Sequence, residues 1–277
     1  MAASDIDTPS GSNARLRVLV LGGTGEARRL AEALAARPAF EASVSLAGRT
    51  RNPLALALPT RTGGFGGVEG LVAYLEAERI DAVIDATHPF AAIMSAHVAE
   101  AAQIAGVPLL ALARAPWKPQ PDDIWREAAS LAEALTALGA APRRVFAALG
   151  RNEVQALESA PQHHYLIRSI DPVEPRLALP SAAYIEARGP FAEPDERDLL
   201  TGHRIDAVLA KNSGGPETYA KIAAARALGI EVIMLARPAR PAVESVATIE
   251  DALAWLERRQ PRPHASRSHA STARRGV

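Results

Sequence analysis

The 277-residue chain contains no cysteine, which excludes disulfides, thiolate catalysis and cysteine-ligated zinc or iron–sulfur centres. It also lacks net charge, with 31 basic residues against 31 acidic ones. Such a chain offers no electrostatic footprint for a nucleic-acid duplex or an anionic membrane, although a local basic pocket for a small anion stays compatible with it. No apolar run has the length needed to span a bilayer. The polar stretch 1–13, with acids at Asp5 and Asp7, lacks the basic start and apolar core of a secretory signal. The cytoplasm is therefore the expected location. Aromatic residues are scarce, at 4%, so the core has to come from Ala, Val, Leu and Ile. That favours helices packed closely on a sheet.

What the chain does have is alternation. The apolar run 17–21 ends in glycines and reads as a buried parallel strand. Helical spacing follows over 27–37, with Leu30, Ala31, Leu34 and Ala35 on one face and Pro38 as a stop. Further strands are expected at 42–47, 81–85 and 107–111, with helices at 68–78 and about 91–105. After a proline-rich stretch, 114–121, the alternation resumes. Strands are expected at 144–149, 164–168, 183–187, 205–210 and 231–235, and helices at 152–158, 194–202, 216–228 and 248–258. Alternation of this kind implies parallel sheets with helices on both faces and the strand-to-helix loops along one rim. The expected fold is α/β, two Rossmann-like parallel-sheet domains with a cleft between them. The expected divisions are a disordered leader 1–14, a nucleotide-binding half 15–113, a substrate-contributing half 114–258 and a disordered tail 259–277.

Four loops on that rim carry chemistry. Gly22-Gly23-Thr24-Gly25-Glu26 follows the first strand. Glycines there let backbone approach a pyrophosphate, whose charge then sits at a helix N-terminus. The match to G-x-G-x-x-G is incomplete, because Arg28 stands where the third glycine belongs, and a tight turn without ligand is the alternative. The turn after the second strand is Gly48-Arg49-Thr50-Arg51, with no acid to hold a ribose 2′-hydroxyl. Its Arg49, Thr50 and Arg51 suit a 2′-phosphate, so NADPH is expected over NADH. Gly64 and Phe65, in the glycine-rich loop 63–67, and Thr87 are further candidates for cofactor contact.

The third loop is Asp85-Ala86-Thr87-His88-Pro89-Phe90-Ala91, which places a histidine at a strand's carboxyl end. His88 is a candidate to position substrate or handle a proton, or else it packs the helix start. The fourth is Lys211-Asn212-Ser213-Gly214-Gly215, whose lysine and amides can hold an anion, or which serves only as a helix entry capped by Ser213. Arg114, Arg151, Arg168 and Arg188 lie at strand ends or loops where they can meet carboxylates. A short-chain dehydrogenase needs Tyr-x-x-x-Lys, and no tyrosine here has a lysine four residues on. A non-catalytic NADP(H)-binding sensor would need only the first two loops.

Taken together, these motifs resemble the precorrin-6A reductase family of corrin-ring (vitamin B12) biosynthesis. The resemblance rests on Gly22-Gly23-Thr24-Gly25-Glu26, the Asp85–Ala91 string and Lys211-Asn212-Ser213-Gly214-Gly215. It continues through Thr218-Tyr219-Ala220-Lys221-Ile222 and Arg226-Ala227-Leu228-Gly229-Ile230. It implies NADPH-dependent reduction of one double bond of a carboxylate-rich tetrapyrrole, with no metal held by the protein. The enzyme would be a monomer or small homo-oligomer without nucleic-acid or membrane partners. The anaerobic-pathway reductase of the cobalt-containing ring shares the motifs and is the alternative. On this reading His88 and Lys211 are catalytic candidates. Pro89, Phe90, Asn212, Ser213, Gly214, Gly215, Arg114 and Arg151 are expected to meet the substrate.

Overall fold

The run that ends at Leu21 forms the middle of a parallel sheet. In the computed structural model, which describes residues 15–48, 50–51, 53–151 and 153–260, strand β1 is Leu16–Leu21. Its side chains alternate between the two faces, as the pleat requires. Val18 and Val20 pack towards helices α1 (Gly25–Ala35) and α7 (Ile249–Glu257). Leu19 and Leu21 pack towards α2 (Val68–Ala77) and α3 (Ala92–Ala105). The sheet is completed by β2 (Phe40–Leu46), β3 (Thr60–Thr62), β4 (Ala82–Asp85), β5 (Leu109–Leu112) and β12 (Ser245–Val246). Its order is β12-β5-β4-β1-β2-β3, all parallel. That is the doubly wound order, with its reversal point between β1 and β4.

The second sheet has the order β6-β11-β10-β7-β8-β9 and is also parallel. Its strands are β6 (Trp125–Ala128), β7 (Arg144–Ala148), β8 (His164–Ser169), β9 (Ala182–Glu186), β10 (Ala207–Lys211) and β11 (Glu231–Leu235). Helix α4 (Leu131–Ala137) and a 3₁₀ turn (Val154–Ser159) cover one face, and α5 (Glu193–Gly202) and α6 (Ala220–Ala227) the other. Here the order reverses between β7 and β10.

The two sheets exchange outer strands. The edge strand of the second sheet, β6, precedes the rest of it in sequence. The edge strand of the first, β12, comes after the whole second sheet. The helix expected at 248–258 therefore packs on the first sheet, where Trp255 and Leu256 join the core with Val18 and Leu30. Three further differences have local causes. Residues 154–159 form a 3₁₀ turn rather than an α-helix, because the only buried apolar pair, Val154 and Leu157, is spaced by three. Helix α6 starts at Ala220 instead of 216, because Gly214 and Gly215 have positive φ and Pro216 opens a separate turn closed by Tyr219 N. Arg259, expected to open a disordered tail, stacks on Trp255 at 3.5 Å. The leader 1–14, Arg49, Asn152 and the tail from 261 lie outside the described residues.

Candidate functional site

The first glycine turn is built for close approach. A side chain at Gly22 would put its Cβ 2.9 Å from Val44 Cγ1, so the strand pair closes tightly under the turn. Gly23 has φ of 116°, and nothing lies within 4 Å of where its Cβ would be. Only glycine takes that backbone readily, and its open face leaves the chain exposed to a ligand. Thr24 caps α1, its Oγ1 accepting from Ala27 N at 3.1 Å and donating to Ala86 O at 2.9 Å. The turn and the end of β4 are thus tied together around the N-terminus of α1. This cradle fits a nucleotide pyrophosphate. Arg28, in the third-glycine position, is exposed on the outside of the helix.

Glu26, expected beside the cofactor, is engaged otherwise. It is buried and paired with Arg114 Nη1 at 2.6 Å. Thr50 is half-buried at the end of the second strand's turn, and Arg51 is exposed. The Arg51 backbone N–H donates to Asp171 at 3.1 Å, and its guanidinium pairs with Glu174. A third arginine, missed in the sequence, stands beside this turn. Arg61 on β3 donates to Ser45 Oγ at 2.8 Å and to the Gly64 carbonyl at 3.0 Å, and it lies 4.0 Å over the Phe65 ring. The three-residue strand that carries it has no hydrophobic pattern to announce it.

At the reversal point Asp85 is buried and fully engaged. Oδ1 accepts from Thr87 N at 3.0 Å and Thr87 Oγ1 at 2.6 Å, and Oδ2 accepts from Ser95 at 2.7 Å and Arg240 at 2.6 Å. The Thr87 hydroxyl is thus turned to Asp85. Arg240 comes from the segment returning to β12, where no motif marks it. Next in the loop, His88 crosses to the second sheet, with Nε2 3.1 Å from Ser213 Oγ. Its Nδ1 accepts from Phe90 N at 3.2 Å, so the proton sits on Nε2 and is donated to Ser213. Burial and the nearby cations Lys211, Arg114, Arg237 and Arg240 push the His88 pKa down to about 3. At neutral pH it is a neutral donor, unable to act as an imidazolium acid.

In the unfolded chain the imidazole titrates near 6.5, about the ordinary value. Between there and about 3 the unfolded state binds the extra proton and the native state does not. The stability tied to His88 is therefore intact above about 6.5 and lost as pH falls towards 3. Urea titrations from pH 7 to pH 4 should show a smaller drop for His88→Gln than for the parent. Identical drops would contradict the shift.

The Lys211 loop meets this histidine from below. Lys211 Nζ pairs with Glu153 at 2.9 Å and lies 5.1 Å over the Phe90 ring. Pro89 beside it is buried. Asn212 has its amide occupied by the Trp117 backbone, accepting at 2.8 Å and donating at 3.0 Å. Arg114 Nε donates to the Ser213 carbonyl at 2.6 Å. Arg237 donates to the carbonyls of Asn212, Arg114, Ala115 and Ser213, binding the outgoing crossover to the returning one. Asn212 and Arg114 therefore build the junction between the halves. Of the other arginines, Arg151 is exposed and near enough to Glu174 to lower its pKa, though Arg51 does so more strongly. Arg188 is exposed on the loop after β9. Arg168 is buried in the second half, paired with Glu196 and lying over the Phe146 and Phe191 rings, so it does not face a cleft.

Gly214 has φ of 69°, and a Cβ there would stand 2.3 Å from both the Ala115 carbonyl and Arg237 Nη2. Gly214→Ala should cost about 2 kcal/mol in unfolding free energy, from left-handed backbone and crowding together. A thermal melt unchanged from the parent would count against this packing. Beside the junction, a cleft of about 730 Å³ is lined by Pro116, Trp117, Lys118, Pro216 and Tyr219, among others.

Comparison with known proteins bears on the whole of this architecture. The sequence model of the family described as precorrin-6x reductase CbiJ/CobK matches residues 17–257. A precorrin-6A reductase of Sinorhizobium sp. is 51% identical over 253 residues, covering 91% of this chain and 96% of that protein. The precorrin-6A reductase of Rhodobacter capsulatus is 52% identical over 240 residues, 87% of this chain and 95% of that one. A cobalt-precorrin-6A reductase of Methanothermobacter thermautotrophicus is 30% identical, covering 81% and 77%. A solved structure described as CobK precorrin-6A reductase superposes with a TM-score of 0.85 at 51% identity, over 90% of this chain and 99% of that one.

Proposed function

Because the chain belongs to the precorrin-6x reductase CbiJ/CobK family, we propose that NADPH is the hydride donor with which it reduces precorrin-6A in cobalamin biosynthesis. The observation that carries the cofactor reading is the pairing of the open Gly23 cradle with a turn rich in arginine and free of acids. The cofactor supplies the hydride itself. Gly22, Gly23, Thr24 and Gly25 would receive the pyrophosphate, and Arg49, Thr50, Arg51 and Arg61 the 2′-phosphate. The sensor reading needs only the first half, whereas the relatives named as reductases match across both.

The chain's own contribution is positioning. His88, held neutral, donates to Ser213 and so sets the Lys211 loop against the β4 loop. In this proposal Lys211, over Phe90 and beside Glu153, receives a substrate carboxylate or relays a proton, and Gly215, Ser213 and Pro89 line the approach. The two sheets, each with its exchanged edge strand, would be the two domains, and the reaction would take place in the cytoplasm. Identity is higher to the relatives named for the cobalt-free ring than to those named for the cobalt form, which supports precorrin-6A as substrate.

The test is to incubate the enzyme with NADPH and either precorrin-6A or its cobalt complex, side by side. Loss of reduced-nicotinamide absorbance is expected with the cobalt-free ring. Absence of turnover with both would overturn the reading. A higher kcat/KM with NADH would overturn the cofactor assignment alone.

A further inference from the structure

The two cofactor-phosphate positions proposed above face carboxylates from the opposite half, one at the first and two at the second. At the glycine turn it is Glu217, from the loop between β10 and α6. Its Oε1 lies only 2.0 Å from where a Gly25 Cβ would stand, and its Oε2 2.5 Å. It also accepts from Arg29 Nη1 at 3.0 Å. At the arginine turn they are Asp171 and Glu174, from the loop between β8 and β9. Asp171 accepts the Arg51 backbone N–H at 3.1 Å, and Glu174 pairs with the Arg51 guanidinium. These two contacts come from separate loops and meet separate subsites. One sets an anion beside Gly25 at the start of α1 and the other an anion against a guanidinium, the two kinds of surroundings a phosphate favours.

We infer that Glu217 and the Asp171–Glu174 pair are internal stand-ins for the cofactor's pyrophosphate and 2′-phosphate, which the cofactor displaces as it binds. The inference rests on the cofactor reading above and adds to it a contact between the halves that cofactor binding loosens. The energetics allow exchange. The side chains of Arg51 and Glu174 are 50% and 59% exposed, and those of Arg29 and Glu217 42% and 33%. Pairs as exposed as these contribute little, far less than a nucleotide's full set of contacts. Arg51 stays charged throughout, so its site trades a carboxylate for a phosphate with little change in the number of ion pairs. Cofactor affinity should then depend only weakly on salt. The arrangement also makes the subsites separable, since NADH carries the pyrophosphate but not the 2′-phosphate.

The experiment is calorimetric titration of the full chain and its Glu217→Gln and Glu174→Gln variants with NADPH and with NADH, at low and high salt. Glu217→Gln should tighten both cofactors about two- to fivefold, and Glu174→Gln should tighten NADPH alone by a similar factor. Both variants should show a steeper salt dependence than the parent. Hydrogen exchange across 171–174 should quicken when the parent is saturated with NADPH, because the Arg51 contacts are released. Unchanged or weakened affinities in variants that melt with the parent would overturn the stand-in role while leaving the cofactor reading intact. No NADPH binding by the parent would overturn both. Protection of 171–174 on binding, instead of exposure, would also overturn the exchange.

Discussion

Asp85→Ala is expected to lower the free energy of unfolding by about 3 kcal/mol, because it removes a buried carboxylate and leaves a half-buried guanidinium without its partner. The carboxylate side chain is 3% exposed and the Arg240 side chain 19%. Four donors converge on the aspartate: the Thr87 amide and hydroxyl, the Ser95 hydroxyl and Arg240. Arg240 also donates to Ser95. Removal of the acceptor therefore strands a charge and two hydroxyls at once, where each loss compounds the others. The damage should also reach beyond stability. Asp85 fixes the start of the loop that carries His88, and Arg240 belongs to the segment that delivers β12 to the first sheet. Urea denaturation of Asp85→Ala, Arg240→Met and the double variant measures the coupling. The double variant should be more stable than Asp85→Ala, because it no longer buries an unpaired charge. A loss under about 1 kcal/mol in Asp85→Ala would mean that solvent already screens the pair.

The strands that build the two sheet centres were legible because they are short apolar runs ending in glycine or polar loops. Leu16–Leu21, Ala82–Asp85 and Ala207–Lys211 all have that form. The strands that escaped are edges. Thr60–Thr62 and Ser245–Val246 are too short to show a period, and Trp125–Ala128 is half polar, as an edge strand tends to be. One miss was avoidable. Ser130 followed by Glu133 is a capping signature before the apolar residues of α4, and Ser130 Oγ does accept from Glu133 N at 3.1 Å. The exchange of β6 and β12 was hidden for a deeper reason. Hydrophobic pattern reports that a segment is a strand, and says nothing about which sheet it joins.

The site was legible in the same uneven way. The glycine turn, His88 and the Lys211 loop announce themselves by position at strand ends, where backbone and side chains face one rim. What those residues touch could not be read. Glu26, Asn212 and Arg114 have the chemistry of ligand contacts and are held in ion pairs and backbone bonds at the junction. Arg237 and Arg240, which organise that junction, sit in a loop with no motif. Their partners are up to 155 residues away in sequence, at Asp85.

Cofactor choice gives the second large effect. Replacing Arg49 and Arg51 together by Ala should weaken NADPH by about a hundredfold in Kd, while NADH changes little. A guanidinium bond to a phosphate is charge-assisted, and losing one costs roughly tenfold in Kd, so the loss of two accounts for the effect. Arg51 carries a further term. With its guanidinium gone, Glu174 and Asp171 stay beside the 2′-phosphate position without a cation between them. Like charges held close disfavour the phosphate, so Arg51→Ala should cost more than the lost bond alone. Glu174→Gln in the Arg51→Ala background should then recover part of the NADPH affinity and leave NADH unmoved. Equal losses for both cofactors in the double arginine variant would refute the 2′-phosphate assignment. Failure of Glu174→Gln to recover any affinity would show that its carboxylate is screened once Arg51 is gone.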